Sequence, residues 1–244
     1  GLKSVTIPSS VTEIGWYAFE DCTGLKSVTI PSSVKEIGYN AFLGCTGLKS
    51  VTIPSSVKEI GDWAFWDCTG LTKITVDKNN KNYTSVDGVL FNKDKTIILV
   101  YPSAKGSSYI IPGSVTYIGK SAFNGCTGLK SVIIPNSVKE ISSQAFATCT
   151  GLKSVTIPNS VTKISWEVFL GCTGLTSATI SRSATYIGEG AFGYTSNGKI
   201  NGFTIYGKKG TEAERYANSN GFKFVEGTAP AEPAVPTGVK LNQS

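Results

Sequence analysis

Hydrophobic residues recur along the chain in an order that repeats every 23 residues. In the segment LKSVTIP the apolar positions are Leu25, Val28 and Ile30. Polar Ser27 and Thr29 lie between them. Alternation with a period of two, in a run that is rich in β-branched residues and closed by proline, is typical of a half-buried strand. Each repeat is therefore predicted to contain one such strand.

The remainder of the repeat predicts a second extended piece and a turn. In SVKEIG, Val34 and Ile37 are predicted to point inward, and the following AFLGC closes the turn with Ala41, Phe42 and Cys45 packed beneath it. One coil thus has one main strand, one short extended piece and several corners.

The repeat period decides the predicted architecture. The phrase CTGL occurs six times, and units begin at Gly1, Gly24, Gly47, Gly70, Lys105, Gly128, Gly151 and Gly174. Because no single coil buries its own apolar edge, stacking of coils about 4.8 Å apart is what creates a continuous core. The pattern predicts a solenoid of about eight coils in which one stack is buried: Val5, Ile7, Val28, Ile30, Val51, Ile53, Val132, Ile134, Val155 and Ile157.

The pattern L..V.IP..V..IG..AF..C resembles the BspA-like class of bacterial leucine-rich repeats over residues 1 to about 198. The resemblance implies a right-handed, curved leucine-rich-repeat solenoid, mainly β with short turns and 3-10 pieces. It also implies a non-enzymatic binding scaffold for protein–protein contact or cell adhesion, secreted or attached to a bacterial surface.

One unit, from Gly70 to Ala104, has 12 residues more than the others. Because a coil has no room for them in the stacked register, we expect a hairpin that leaves the solenoid. Its tip is predicted at Asn92 to Lys95, and its strands are predicted at Val89, Leu90 and Phe91 and at Ile97, Ile98 and Leu99.

The C-terminal end departs from the repeat. Thr211 and Glu214 form a capping-box signature, Ala213, Tyr216 and Ala217 give one apolar helix face, and Gly221 is predicted to end the helix. Residues 1–226 are thus predicted to be a solenoid with a helical cap. Residues 227–238, rich in Pro and Ala, predict an extended linker. Residues 239–244 resemble the first strand of a bacterial immunoglobulin-like domain, and the chain, which starts in mid-repeat without Met, is expected to be a piece of a longer protein.

Composition narrows the possible chemistry. The chain has no His, which excludes His-dependent catalytic triads and imidazole zinc sites, so we predict no catalytic residue, cofactor or metal. The six Cys have no C-x-x-C spacing and are predicted to be buried thiols, with a disulfide or a thiolate metal site as alternatives.

The charge of the chain disfavours nucleic acid as a partner. The net charge is +6, with 23 basic and 17 acidic residues, but only Arg182 and Arg215 among the basic residues are Arg. No apolar run is long enough to span a membrane.

Large aromatic residues beside the Ala-Phe turn are the candidate binding residues. They are concentrated in the first three coils, and exposed aromatic side chains anchor protein partners or stack on sugar rings. The alternative is that they shield the convex turns or pack on repeats upstream of Gly1. The predicted partner is an extracellular protein or glycan of unknown identity, with a structural spacer or a glycan-directed hydrolase as alternative functions, and oligomeric state is left open. The candidate residues are Trp16, Tyr17, Tyr39, Trp63 and Trp66.

Overall fold

The computed structural model describes residues 1–229, which form a β-solenoid of about nine turns with one short helix near the C-terminal end. The linker predicted from residue 227 lies almost entirely outside the described residues, and the strand predicted at 239–244 lies wholly outside them.

Two families of parallel strands stack along the solenoid axis, one strand of each family in a regular coil. The main strands are β2 (Ser27–Thr29), β4 (Ser50–Ile53), β6 (Lys73–Val76), β10 (Ser108–Ile110), β12 (Ser131–Ile133), β14 (Ser154–Ile157), β16 (Ser177–Ile180) and β20 (Thr204–Gly207). The short strands are β1 (Glu13–Ile14), β3 (Glu36–Ile37), β5 (Glu59–Ile60), β11 (Tyr117–Ile118), β13 (Glu140–Ile141), β15 (Lys163–Ile164) and β17 (Tyr186–Ile187). Both families lie where the sequence predicts them.

The register of pairing equals the repeat period. Val28 pairs with Val51, and Ile14 pairs with Ile37, so that each apolar side chain lies on the equivalent side chain of the next coil. Seven of the ten residues predicted to form the buried stack are buried. Val5, Ile7 and Val132 are instead half-buried, and the first two belong to a coil with a neighbour on one side only within the described residues.

The Ala-Phe turns form a ladder of their own. The Phe42 N–H donates to the Ala64 carbonyl oxygen at 2.8 Å, and the same bond joins equivalent residues of other coils. The rings of Phe123, Phe146 and Phe169 stack with centroids 4.6 Å and 5.0 Å apart. Each turn is thus held by a backbone bond and by an identical aromatic neighbour.

The cysteines line the inside of this turn. Within residues 1–229 all six are free thiols, and five of them are buried, whereas Cys22 in the first coil is half-buried. The Cys149 thiol donates to the Phe123 carbonyl oxygen at 3.1 Å, and Cys172 does the same to Phe146. The expectation of reduced thiols is confirmed, and burial is confirmed for five of them.

The long unit contains the predicted hairpin, with its strands and tip at the predicted residues. Strands β7 (Tyr83–Val86), β8 (Val89–Asn92) and β9 (Ile97–Val100) form an antiparallel meander in which Phe91 pairs with Ile98. The expectation that the hairpin leaves the solenoid is wrong. Phe91 and Ile98 are buried, and β9 pairs in parallel with β11. The physical reason is that Ile97 and Ile98 occupy the short-strand register of a regular coil, so the meander remains inside the stack.

The C-terminal cap closes the far end. Helix α1 (Glu212–Asn220) follows a small hairpin of β18 (Tyr194–Thr195) and β19 (Gly198–Lys199), and β21 (Lys223–Glu226) pairs with β20. The predicted apolar face is buried, and Gly221 ends the helix in the left-handed conformation at φ 67°. The predicted capping box is wrong: the Thr211 hydroxyl donates to the Lys208 carbonyl oxygen, and Glu214 accepts from the Gly210 N–H.

Candidate binding site

The ladder of aromatic rings is interrupted once along the solenoid. Phe42 and Phe65 stack at 5.5 Å, and Tyr101 stacks on Phe123 at 4.9 Å. Among the described residues 1–229, Phe65 and Tyr101 make no ring contact with each other. On the far side of this interruption, the Cys126 thiol lies 3.8 Å from the Tyr101 carbonyl oxygen, against 3.1 Å for the equivalent bond of Cys149.

A deletion of two residues explains the interruption. In a regular coil the turn aromatic follows the short-strand isoleucine by five positions, as Phe123 follows Ile118, whereas Tyr101 follows Ile98 by three. The two missing positions are those that Asp62 and Trp63 occupy in the coil before. The edge of the solenoid therefore has a gap about one coil wide, which we call the notch.

Four side-chain contacts cross the notch. The Trp63 Nε1–H donates to Ser121 Oγ at 2.8 Å, and the Trp66 Nε1–H donates to Asn124 Oδ1. The Lys120 ammonium lies 3.2 Å from Asp62 Oδ2 and 3.8 Å from the centroid of the Trp63 ring. An ammonium over the face of a tryptophan is attracted by the ring quadrupole, so Lys120 contributes both an ion pair and a cation–π contact.

A cavity of about 120 Å³ lies beneath these contacts. Its wall mixes aromatic and polar groups, since indole and phenol rings adjoin a carboxylate, an ammonium and an amide. The residues that give it this character are Asp62, Trp63, Trp66, Tyr83, Lys120 and Asn124.

Trp63 is held in an unfavourable backbone conformation. Its φ is 60°, in the left-handed region, which costs a residue with a side chain about 1–2 kcal/mol. The same turn position is left-handed in other coils, for example at Asn40 (φ 55°) and Ser121 (φ 54°). The conformation is therefore imposed by the fold, and the cross-notch contacts of Trp63 offset its cost.

Burial shifts two ionisable groups around the notch. The pKa of Asp67, next to Trp66, is raised by burial and by the carboxylate of Asp21. Burial also raises the pKa of Tyr83, whose hydroxyl accepts from the Ile60 N–H at 3.0 Å. The Tyr83 phenol therefore remains neutral. It accepts the hydrogen bond from the Ile60 N–H that a neighbouring strand would otherwise accept.

The five aromatic residues predicted as a binding patch lie together on one edge, which we call the aromatic corner. Tyr39 lies at its centre, with ring centroids 6.3 Å from Trp16, 5.6 Å from Tyr17 and 5.2 Å from Trp63. Trp66 continues the row at 6.0 Å from Trp63. Trp16 is 70% exposed, Tyr39 and Trp63 in the middle of the row are half-buried, and Trp66 at its other end is 37% exposed. The corner thus has an open end at Trp16 and a packed end at the notch.

The sequence prediction overlooked one aromatic residue in the same column. Trp166 lies at the turn position of Trp16 and Tyr39 and is 47% exposed. Trp166 can be recognised in the segment SWEVFL, which lies far from the first three coils in the sequence. Large aromatic residues at this position are therefore not confined to those coils, but the contiguous row is.

The repeat pattern, the pairing register and the phenylalanine ladder together correspond to one known family. The profile of the BspA type leucine rich repeat region matches residues 1–104 and 99–221. The chain belongs to the BspA-type leucine-rich repeat family. No curated protein matches this BspA-type chain at a significant level.

Solved structures resemble this BspA-type solenoid. A leucine rich cell surface protein from Faecalibacterium prausnitzii A2-165 is 30% identical over 88% of the chain, with a TM-score of 0.70. A leucine-rich repeat protein from Eubacterium ventriosum ATCC 27560 is 25% identical over 85% of the chain, with a TM-score of 0.60. The chain spans 62% and 67% of these two proteins, respectively. The pneumococcal vaccine antigen PcpA is 22% identical over 93% of the chain and 80% of its own, with a TM-score of 0.57, and shares the fold.

Among residues 1–229 no helix has the length and apolar character needed to cross a membrane.

Proposed function

We propose that this protein is a non-enzymatic binding scaffold of a bacterial cell surface or secreted protein, and that the aromatic corner contacts its extracellular partner. The observation that supports this most directly is the row of five aromatic residues in continuous contact along one edge. Its open end exposes large apolar area at Trp16 and Tyr17, and such residues are enriched in the energetic centres of interfaces.

The rigid repeat frame supports the same proposal. Because neighbouring turns share a backbone bond and a stacked ring, the exposed aromatic side chains are held in fixed relative positions, which lowers the entropy lost on binding. The F. prausnitzii relative is described as a cell surface protein, and this favours an extracellular setting for the present chain.

A binding screen with two tryptophan variants tests the proposal. The protein is passed over immobilised extracellular-matrix proteins and glycans, and the affinity of each partner found is measured by surface plasmon resonance. Trp16→Ala is expected to weaken binding about tenfold, a loss of about 1.4 kcal/mol, with little change in melting temperature. Trp166→Ala removes a tryptophan that is also exposed but lies outside the aromatic corner, and this matched control should bind as the wild type does.

Two outcomes would contradict the proposal. Equal affinity of the wild type and Trp16→Ala for a demonstrated partner would move the interface away from the aromatic corner. An absence of binding across the whole screen would favour the alternative of a structural spacer that displays neighbouring domains.

A further inference from the structure

The notch contains polar atoms whose hydrogen-bonding capacity is only partly used. Asn124 accepts through Oδ1 and Ser121 accepts through Oγ, but among residues 1–229 the Asn124 amide NH2 and the Ser121 hydroxyl hydrogen have no acceptor. Asp62 has a second carboxylate oxygen and is 61% exposed. Unused donors and acceptors therefore both lie among the residues that line the cavity.

The charges in the notch cancel. Lys120 and Asp62 form an ion pair across it, so neither is available as an isolated charge for a strongly anionic or cationic ligand. The remaining recognition elements are an aromatic wall and a set of neutral or paired polar groups. This combination suits an uncharged ligand with one apolar face and several hydroxyl groups.

The size of the cavity limits the occupant further. Its volume of about 120 Å³ corresponds to about four water molecules at ~30 Å³ each, which is far too small for a helix or a strand of a partner protein. A single saturated ring lying partly in the cavity and partly at its mouth matches this space.

We propose that the notch is a carbohydrate subsite that holds one pyranose ring of a neutral glycan against Trp66. The C–H groups on one face of the sugar lie on the electron-rich face of the indole, and vicinal hydroxyls bond to Asp62, Ser121 and Asn124. The proposal rests on the proposed binding function and deepens it, because the notch adjoins the packed end of the aromatic corner. A longer glycan then extends along Trp63 and Tyr39.

Intrinsic fluorescence gives a direct test. The chain has four tryptophans, so the double variant Trp16→Phe, Trp166→Phe leaves only Trp63 and Trp66, which both line the notch. This variant is titrated with cellotetraose, maltotetraose, chitotetraose and N-acetyllactosamine. We expect a saturable change in emission with at least one of these sugars at millimolar concentrations.

Two further variants, each added to this background, assign the effect to the notch. Asp62→Asn keeps the side-chain shape and removes the charged acceptor, and Trp66→Ala removes the indole against which the sugar packs. Each substitution should lower the affinity for the sugar at least tenfold. Glu189→Gln changes the carboxylate at the same turn position five coils later and should have no effect. Circular dichroism establishes that each variant is folded, and if Trp66→Ala does not fold, Asp62→Asn decides.

The results separate this inference from the proposed function. Emission that stays constant with every sugar, or an affinity that Asp62→Asn leaves unchanged, would overturn the carbohydrate subsite. If at the same time Trp16→Ala weakened a protein partner, the binding function would stand with a protein as its ligand. Sugar binding that depends on Asp62 while Trp16→Ala affects no partner would support the subsite and contradict the wider role of the aromatic corner.

Discussion

The regular coils and the long unit 70–104 hold the same solenoid together by different means. Between regular coils the contacts are repeated backbone bonds and identical stacked rings, as at Phe123, Phe146 and Phe169. At the long unit the short-strand pairing and the ring stack are both interrupted, and side chains such as Asn80 and Trp63 make the connection. The repeated contacts thus stabilise the regular coils, while the interruption creates a surface on which aromatic, charged and amide side chains lie side by side.

The hydrophobic core divides at the same place. One buried cluster runs from Ile14 to Leu90, and a second begins at Val89 and continues into the cap. Consecutive residues of β8 therefore belong to different clusters. Because the side chains of a strand alternate between its two faces, one strand serves as the wall between the two cores.

The largest difference is expected between phenylalanines in the two settings. Phe146 is fully buried between two stacked rings, so Phe146→Ala should lower the free energy of unfolding by about 3–5 kcal/mol. Phe65 has a ring neighbour on one side only and lines the notch, so Phe65→Ala should cost less. Urea denaturation of both variants measures this, and equal losses would contradict the view that the interruption is less tightly packed.

Asn80 is expected to be the most sensitive polar residue of the long unit. Its amide donates to the Pro54 and Val57 carbonyl oxygens and accepts from the N–H groups of Asn82 and Tyr83. Asn80→Ala leaves several partners unpaired at about 1–3 kcal/mol for each buried group, so a loss of about 3 kcal/mol is expected.

The matched control for this variant is Asn136→Ala, since Asn136 is exposed on a turn of a regular coil. It should change stability by less than about 0.5 kcal/mol. Thermal unfolding of the two proteins makes the comparison, and similar melting temperatures would show that Asn80 does not anchor the long unit.

Trp63 should contribute to stability as well as to any binding. Trp63→Ala removes a hydrogen bond of about 1 kcal/mol and a cation–π contact of about 0.5–1 kcal/mol, so a loss of about 1–2 kcal/mol is expected. Trp166→Ala is the control in a regular coil. If calorimetry gave the same melting temperature for both variants, the proposed contribution of Trp63 to stability would be contradicted.

The smallest expected effect is a dependence of stability on alkaline pH. Burial raises the pKa of Cys45 to about 11, above the value of about 8.5 for an unfolded cysteine. A pKa that is higher in the folded state means that the folded protein holds the proton more tightly. The stability from this thiol is therefore full below pH ~8.5 and is lost as the pH rises towards 11. Chemical denaturation between pH 8 and 11 should show a shallower decline in Cys45→Ala, and identical slopes would contradict the assignment.

The regular coils could be predicted from sequence because local pattern and stacking agree. Alternation at Val28 and Ile30 fixes which face is buried, and the 23-residue period fixes the neighbour of every side chain. The position of the meander could not be predicted in this way. Its inclusion in the stack depends on pairing between Ile98 and Ile118, a contact between units that have different lengths.

The candidate site shows the same division. The turn position of Trp16 and Tyr39 and the next position, of Tyr17 and Trp63, could be read from the repeat, and their mutual contacts follow from stacking. The notch arises from the distance between Ile98 and Tyr101, which has meaning only once Ile98 is known to occupy the short-strand register. The bonds of Trp63 and Trp66 to Ser121 and Asn124 follow from that gap and join residues 58 positions apart.

Tyrosine hydroxyls lie at the two places where a regular coil is not followed by another regular coil. The Tyr83 hydroxyl accepts from the Ile60 N–H, and the Tyr216 hydroxyl accepts from Phe192 N–H while donating to the Phe192 carbonyl oxygen at 2.9 Å. An unsatisfied N–H at the end of a β-stack is a template for pairing with another chain. A phenol satisfies this amide while offering no further strand, so at both places one potential pairing position for another chain is closed.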